Sequence, residues 1–177
     1  MRIGILSDAH LFHKNSQIKL YRKAITDLQS KVDIIVDCGD LTDKNIINAS
    51  QAEELRTTFK DISIPFHIVK GNHDALNDVS VSSILSMNNN IVVHNDVDVI
   101  EFKGKQFLFI PYIEKAKDIY IKLKKLNLVS PTDYAFSHLN VTSNFYSTVS
   151  FDKLENLFLY SDTGIFSKLS VSVSYKI

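Results

Sequence analysis

Val32-Asp33-Ile34-Ile35-Val36-Asp37-Cys38-Gly39-Asp40 carries an apolar, β-branched run straight into a glycine and a carboxylate. The run from Val32 to Cys38 reads as a strand, and its ending as a sharp turn that offers an acid. The pattern recurs on either side. Ile3 to Leu6 leads into Asp8-Ala9-His10, Phe66 to Val69 into Gly71-Asn72-His73-Asp74, and Tyr134 to Ser137 into His138. Helical patterns lie between. Ile18, Tyr21, Ile25 and Leu28 share one helical face, Ser50-Gln51-Ala52-Glu53 reads as a capping box opening a helix through Leu55 and Phe59, and a short helix is expected around Val79 to Leu85. This alternation predicts an α/β fold around a largely parallel sheet.

The middle of the chain changes character. Ile91 to Val93, Val97 to Phe102 and Gln106 to Ile110 are closely spaced strands, the last two joined at Lys103-Gly104-Lys105. Such spacing predicts hairpins, hence a second, partly antiparallel sheet. A helix from about Glu114 to Leu126 buries Ala116, Ile119, Tyr120 and Leu123. From Ser161 onward the chain is Ser-rich and poorly patterned.

Length and composition set the outer bounds. A chain of 177 residues is expected to make one domain, 1–177, with 151–177 as an atypical end. Lys plus Arg and Asp plus Glu both number 20, so any contact with nucleic acid must come from a local patch. The single cysteine, Cys38, lies in an apolar run and reads as a small buried hydrophobe. Met1 to His10 is too short for a signal-peptide core and no run approaches membrane-spanning length, so a cytoplasmic location is the expectation.

In a mostly parallel sheet the carboxyl ends of strands share one edge, where ligands bind. Side chains two apart on an extended segment face the same way, so Asp8 and His10 can hold one ion together. Gly39 and Gly71 allow sharp turns and close approach. Asp40 has two oxygens with which to bridge two metals, Asn72 offers a neutral carbonyl oxygen, and His138 an imidazole nitrogen. Two carboxylates facing two divalent cations leave the site net positive, which suits a phosphodiester and charge growing on its oxygens. His73 is then free to donate a proton or hydrogen bond to the phosphate or leaving oxygen, with Asp74 orienting its ring. Each block alone has an ordinary explanation in turns, caps or structural histidines. Their combination on four strand ends does not. His67, His94 and His13 stand apart from this pattern: His67, inside a strand, reads as a buried structural histidine, His94 begins a turn, and His13, though near the first block, is not assigned to the site.

These residues resemble the calcineurin-like metallophosphoesterases, whose pattern is Asp-x-His, Gly-Asp, Gly-Asn-His-Asp or -Glu, a later His, and a closing Gly-His-x-His. The resemblance runs from Met1 to about Val141. It implies two facing mixed β-sheets flanked by helices, a four-layer αββα sandwich. It also implies two divalent ions, manganese first and iron or zinc as alternatives. By position, Asp8 and His10 hold one metal, Asp40 bridges, Asn72 and His138 hold the second, His73 is the catalytic histidine paired with Asp74, and Asn72 and His73 meet substrate. The chain has six histidines and none follows His138, so the closing block is absent. Against the family pattern this implies a truncated, frame-altered or degenerate C-terminus, and leaves open a scaffold that has lost ligands.

Phe107 to Tyr112, the Lys-rich helix and Phe136-Ser137-His138-Leu139-Asn140 are similar to SbcD-type DNA repair nucleases, especially compact phage-like ones. That likeness implies DNA as substrate and an SMC-like ATPase as partner. Lys115, Lys117, Lys122, Lys124 and Lys125 are candidate phosphate contacts, or else a solvated helix face. Gly39-Asp40-Leu41-Thr42-Asp43 is also similar to cyclic-nucleotide phosphodiesterases, and neutral net charge suits a small phosphodiester.

Overall fold

The computed structural model describes residues 1–13, 17–126 and 132–138. Strands β1 (Ile3–Leu6), β2 (Ile34–Asp37), β3 (Phe66–Val69) and β6 (Ile91–His94) form one sheet in that order, and every pairing in it is parallel. A two-stranded hairpin, β4 (Ala75–Leu76) and β5 (Val79–Ser80), follows β3. The second sheet contains β7 (Asp98–Phe102), β8 (Lys105–Ile110) and β9 (Tyr134–Ser137). Within it β7 and β8 are antiparallel, while β8 and β9 run parallel. Helices α1 (Gln17–Gln29), α2 (Ala49–Phe59) and α3 (Ala116–Lys125) complete the layers.

The period-2 geometry of a strand explains how two cores arise from one sheet. Along β2, Ile35 faces the helices with Ile18, Tyr21, Ile25, Leu55 and Phe59, while Ile34 and Val36 face the second sheet. Phe107, Phe109 and Phe136 meet them from β8 and β9. Leu108 and Ile110 turn the other way, onto Ile119 and Leu123 of α3. The layers therefore run helix, sheet, sheet, helix, as the resemblance implied. Phe107, Phe109 and Phe136 are at most 2% exposed, each worth about 1.5–3 kcal/mol of burial.

Three local expectations are corrected. The capping box is Asn48 with Gln51: Asn48 Oδ1 accepts the Gln51 N–H at 2.9 Å, and Gln51 Oε1 accepts the Asn48 N–H at 3.0 Å. Ser50 and Glu53 lie inside the helix, because starting at Ala49 buries Leu55, Thr58 and Phe59 together. The segment at Val79 splits into β5 and a 3-10 helix, Val81–Met87, since Ser80 Oγ accepts the Ser82 N–H at 3.0 Å and starts the turn there. The strand at Ile91 pairs with β3 in the first sheet, not with the hairpin that follows it. Ile91 and Val93 join the helix-side core, and His94 ends the strand, buried, instead of starting a turn.

Candidate metal centre

All four blocks meet at one edge. Beyond the strand ends the β1–β2 ladder continues through loops: the Asp8 N–H reaches Gly39 O at 3.0 Å, the His10 N–H reaches Asp40 O at 3.0 Å, and the Leu11 N–H reaches Leu41 O at 2.9 Å. Held in this zipper, Asp8 (φ 54°), His10 (φ 41°) and Asp40 (φ 55°) all adopt left-handed backbone conformations. Such conformations cost non-glycine residues about 1 kcal/mol or more and persist where surrounding structure enforces them, often at functional sites.

Gly39 and Gly71 are required by contact. A Cβ on Gly39, whose φ is +110°, would stand 2.5 Å from His138 Nδ1. One on Gly71 would overlap the Asp40 carboxylate and backbone nitrogen. Behind them, the fully buried Asp37 carboxyl accepts the Gly39 N–H at 3.0 Å and the Tyr21 hydroxyl at 2.5 Å. Burial, with Asp74 and Asp8 nearby, raises the Asp37 pKa to about 7.

Two groups of candidate ligands share Asp40. Ligand atoms of Asp8, His10 and Asp40 all lie within 4.8 Å of one another, with His10 Nε2 3.8 Å from Asp40 Oδ2. The Ser7 hydroxyl hydrogen-bonds the Asp8 carboxylate. On the other side, His138 Nδ1–H donates to Cys38 O at 2.9 Å. That bond turns Nε2 towards Asn72 Oδ1 at 3.0 Å and Asp40 Oδ2 at 3.3 Å. The Asp40 side chain is 5% exposed, and its other oxygen accepts the His73 N–H at 2.9 Å. Burial disfavours charge on both His138 and Asp40, yet their mutual attraction prevails: the histidine pKa is raised and the carboxyl pKa lowered. A divalent cation in place of the Nε2 proton would find the same nitrogen and two oxygens as donors. The residues present therefore fit the two cations that the sequence implied.

His73 stands at the mouth of the site, its side chain 45% exposed, with its ring edge-on to His10 at 4.6 Å. The groups beside its Nδ1 belong to Asp43: the carbonyl at 3.4 Å and the carboxylate at 4.0 Å. Asp74, expected in that role, is turned inward. Its carboxyl accepts the Gly71 N–H at 2.8 Å and the hydroxyls of Ser80 at 3.1 Å and Ser82 at 3.4 Å, and burial raises its pKa. It clasps the turn that carries Asn72 and His73 instead of steering the ring. Asp43 is the residue that the sequence reading passed over; its offset of three from Asp40 was the available signal. His13 Nδ1 lies 3.0 Å from the Asp43 carboxylate, on the rim.

Residues 1–136 match the calcineurin-like phosphoesterase superfamily domain. The chain belongs to that superfamily. A probable metallophosphoesterase of Methanocaldococcus jannaschii is 33% identical over 150 residues, covering 75% of this chain and 69% of that protein. Among solved structures, a novel archaeal phosphodiesterase aligns at 18% identity with a TM-score of 0.49, over 84% of this chain and 80% of that one. A Pseudomonas putida nuclease aligns at 16% identity with a TM-score of 0.38, over 60% of this chain and 52% of that one. Membership makes this phosphoesterase a metal-dependent hydrolase by family. Among the described residues, no helix is long and apolar enough to cross a membrane.

Proposed function

We propose that this phosphoesterase hydrolyses phosphodiester bonds at two divalent ions, manganese foremost, with a DNA backbone as the substrate. The observation that carries the two-ion reading is the position of Asp40, whose Oδ2 lies 3.8 Å from His10 Nε2 and 3.3 Å from His138 Nε2. One carboxylate oxygen thus faces a ligand of each set. Asp8 and His10 would hold the first ion, Asn72 and His138 the second, and Asp40 would serve both. When bound, such ions supply Lewis-acid polarisation of the phosphoryl oxygen and a water acidic enough to attack at neutral pH.

The chain's own residues do the rest. With Nδ1–H directed at Asp43, the His73 ring is held so that Nε2 meets the substrate. As water adds to phosphorus and the ester P–O bond breaks, a proton from His73 passes to the leaving oxygen, and the proton lost by water restores the ring. The sealed Asp74 carboxyl keeps this turn in place.

DNA is favoured by the likeness of Phe107 to Asn140 to SbcD-type nucleases and by two lysines near the site. Because β8 and β9 are parallel, α3 runs back between them, and its beginning lies on the edge that holds His138. The exposed Lys115 and Lys117 are at that end. Lys124 and Lys125 lie about 10–15 Å further along at 1.5 Å per residue, and Lys122 is tied to Asp96 at 2.7 Å. Only part of the lysine row can therefore follow a strand of DNA through the site. The second reading, a small phosphodiester, draws on that same observation and on the zero net charge. The test offers manganese-loaded protein single- and double-stranded DNA and bis-p-nitrophenyl phosphate. Cleavage of DNA supports the proposal. Cleavage of the small ester alone moves the substrate to the second reading, and cleavage of neither ends the enzymatic one.

A further inference from the structure

We infer that this phosphoesterase carries a second kind of metal site, outside the pair just described, in which His10, Asp43 and His73 take a zinc-like ion that competes with catalysis. It rests on the proposed roles of His10 and His73, and concerns the regulation of that site.

Ligand atoms of His10, Asp43 and His73 lie within 4.8 Å of one another, as do those of Asp8, His10 and Asp40. His10 belongs to both sets through opposite ring nitrogens. Its Nε2 faces Asp40, while its Nδ1 lies 3.4 Å from Asp43 Oδ1. That Nδ1 is shielded from solvent and makes no hydrogen bond. A buried ring nitrogen without a hydrogen bond is costly and needs an explanation. Beside it, His73 Nδ1 lies 4.0 Å from the same Asp43 oxygen, and His13 Nδ1 lies 3.0 Å from the other. One carboxylate is thus ringed by three imidazoles, the donor set that borderline-soft zinc prefers and that manganese, which suits oxygen ligands, does not.

The two sites compete for the His73 ring, not for the inner ions. Zinc held by Asp43 and His73 occupies the ring that would otherwise give its proton to the leaving oxygen. The outer ion therefore inhibits, while the inner ions activate.

The test separates this inference from the catalytic one. In an Asp8→Asn/Asp40→Asn variant the inner sets are disabled, and zinc binding is followed by equilibrium dialysis with circular dichroism to verify folding. The expected result is about one zinc per chain, weakened at least about tenfold when Asp43→Asn is added and unaffected by excess manganese. A folded double variant that binds no zinc, or one whose zinc binding ignores Asp43→Asn, overturns the inference whatever the wild-type protein hydrolyses. In the intact protein, zinc added to the manganese form should depress any hydrolysis without releasing manganese; inhibition only in step with manganese loss would likewise overturn it.

Discussion

His67 and His94 lie within strands β3 and β6, whereas His10, His73 and His138 lie just past strand ends, and that shift along the chain separates two histidine clusters of opposite character. The inner cluster is sealed between the sheets. His67 Nδ1 meets His94 Nε2 at 2.9 Å, His94 Nδ1 meets Asp98 at 3.2 Å, and the His94 ring stacks on Phe109 at 3.8 Å. Burial lowers both pKa values to about 4, so the pair is neutral. At the edge, Asp8, His10 and Asp40 hold left-handed backbone conformations, and among the described residues the buried His10 Nδ1 makes no hydrogen bond. The same residue type is a packing element where the sheet continues and a candidate ligand where it stops.

The contrast can be broken by substitution on either side. His73→Ala should reduce kcat by about 10²–10⁴-fold while leaving manganese content unchanged, since general-acid catalysis contributes on that order. A paired loss of metal and rate would place His73 among the ligands instead. Asp43→Asn should cost about 10–100-fold, as expected for a partner that orients a functional ring. Its effect should vanish in the His73→Ala background, and additive losses would separate the two residues. Gly71→Ala should destabilise the fold by about 1–3 kcal/mol, from overlap with Asp40, and should loosen metal binding with it. An unchanged denaturation midpoint would show that the turn has room.

The smallest effect belongs to the sealed pair. With folded pKa values depressed to about 4 against an ordinary 6.5, these histidines favour the folded state most above pH 6.5, and that contribution drains away as pH falls towards 4. His138 has the opposite sign: its pKa is raised, so its contribution weakens as pH climbs. A metal-free His67→Phe/His94→Phe variant should therefore lose less stability than wild type between pH 6.5 and 4, and should bind manganese as wild type does. Denaturant unfolding across that range decides it; equal acid sensitivity would mean the pair is already charged when folded.

Much of this organisation was legible in the sequence because strand ends announce themselves. An apolar run that stops at Gly-Asp or Gly-Asn-His leaves little doubt about which side chains reach the edge, and the structure brings Asp8, His10, Asp40, Asn72 and His138 together there. The bounds of β1, β3 and β9 were readable for the same reason. Partnership was harder. Asp74 and Asp43 are both near His73, one by sequence and one by fold, and the Gly71 N–H with the hydroxyls of Ser80 and Ser82 draws Asp74 away. Pairing of β6 with β3 was hidden by the short connection to β7, because chain proximity and sheet adjacency differ at a crossover. Residues 139–177, where the family pattern would close, lie outside the described residues, and with them the atypical end read from the sequence.

The central claim is that Asp40 joins two metal sites. Manganese titration followed by electron paramagnetic resonance tests it directly. Two ions per chain with a spin-coupled signal, replaced in Asp40→Asn by weak, uncoupled binding, is the predicted result. A single uncoupled ion in the wild-type protein, or coupling that survives Asp40→Asn, would contradict it.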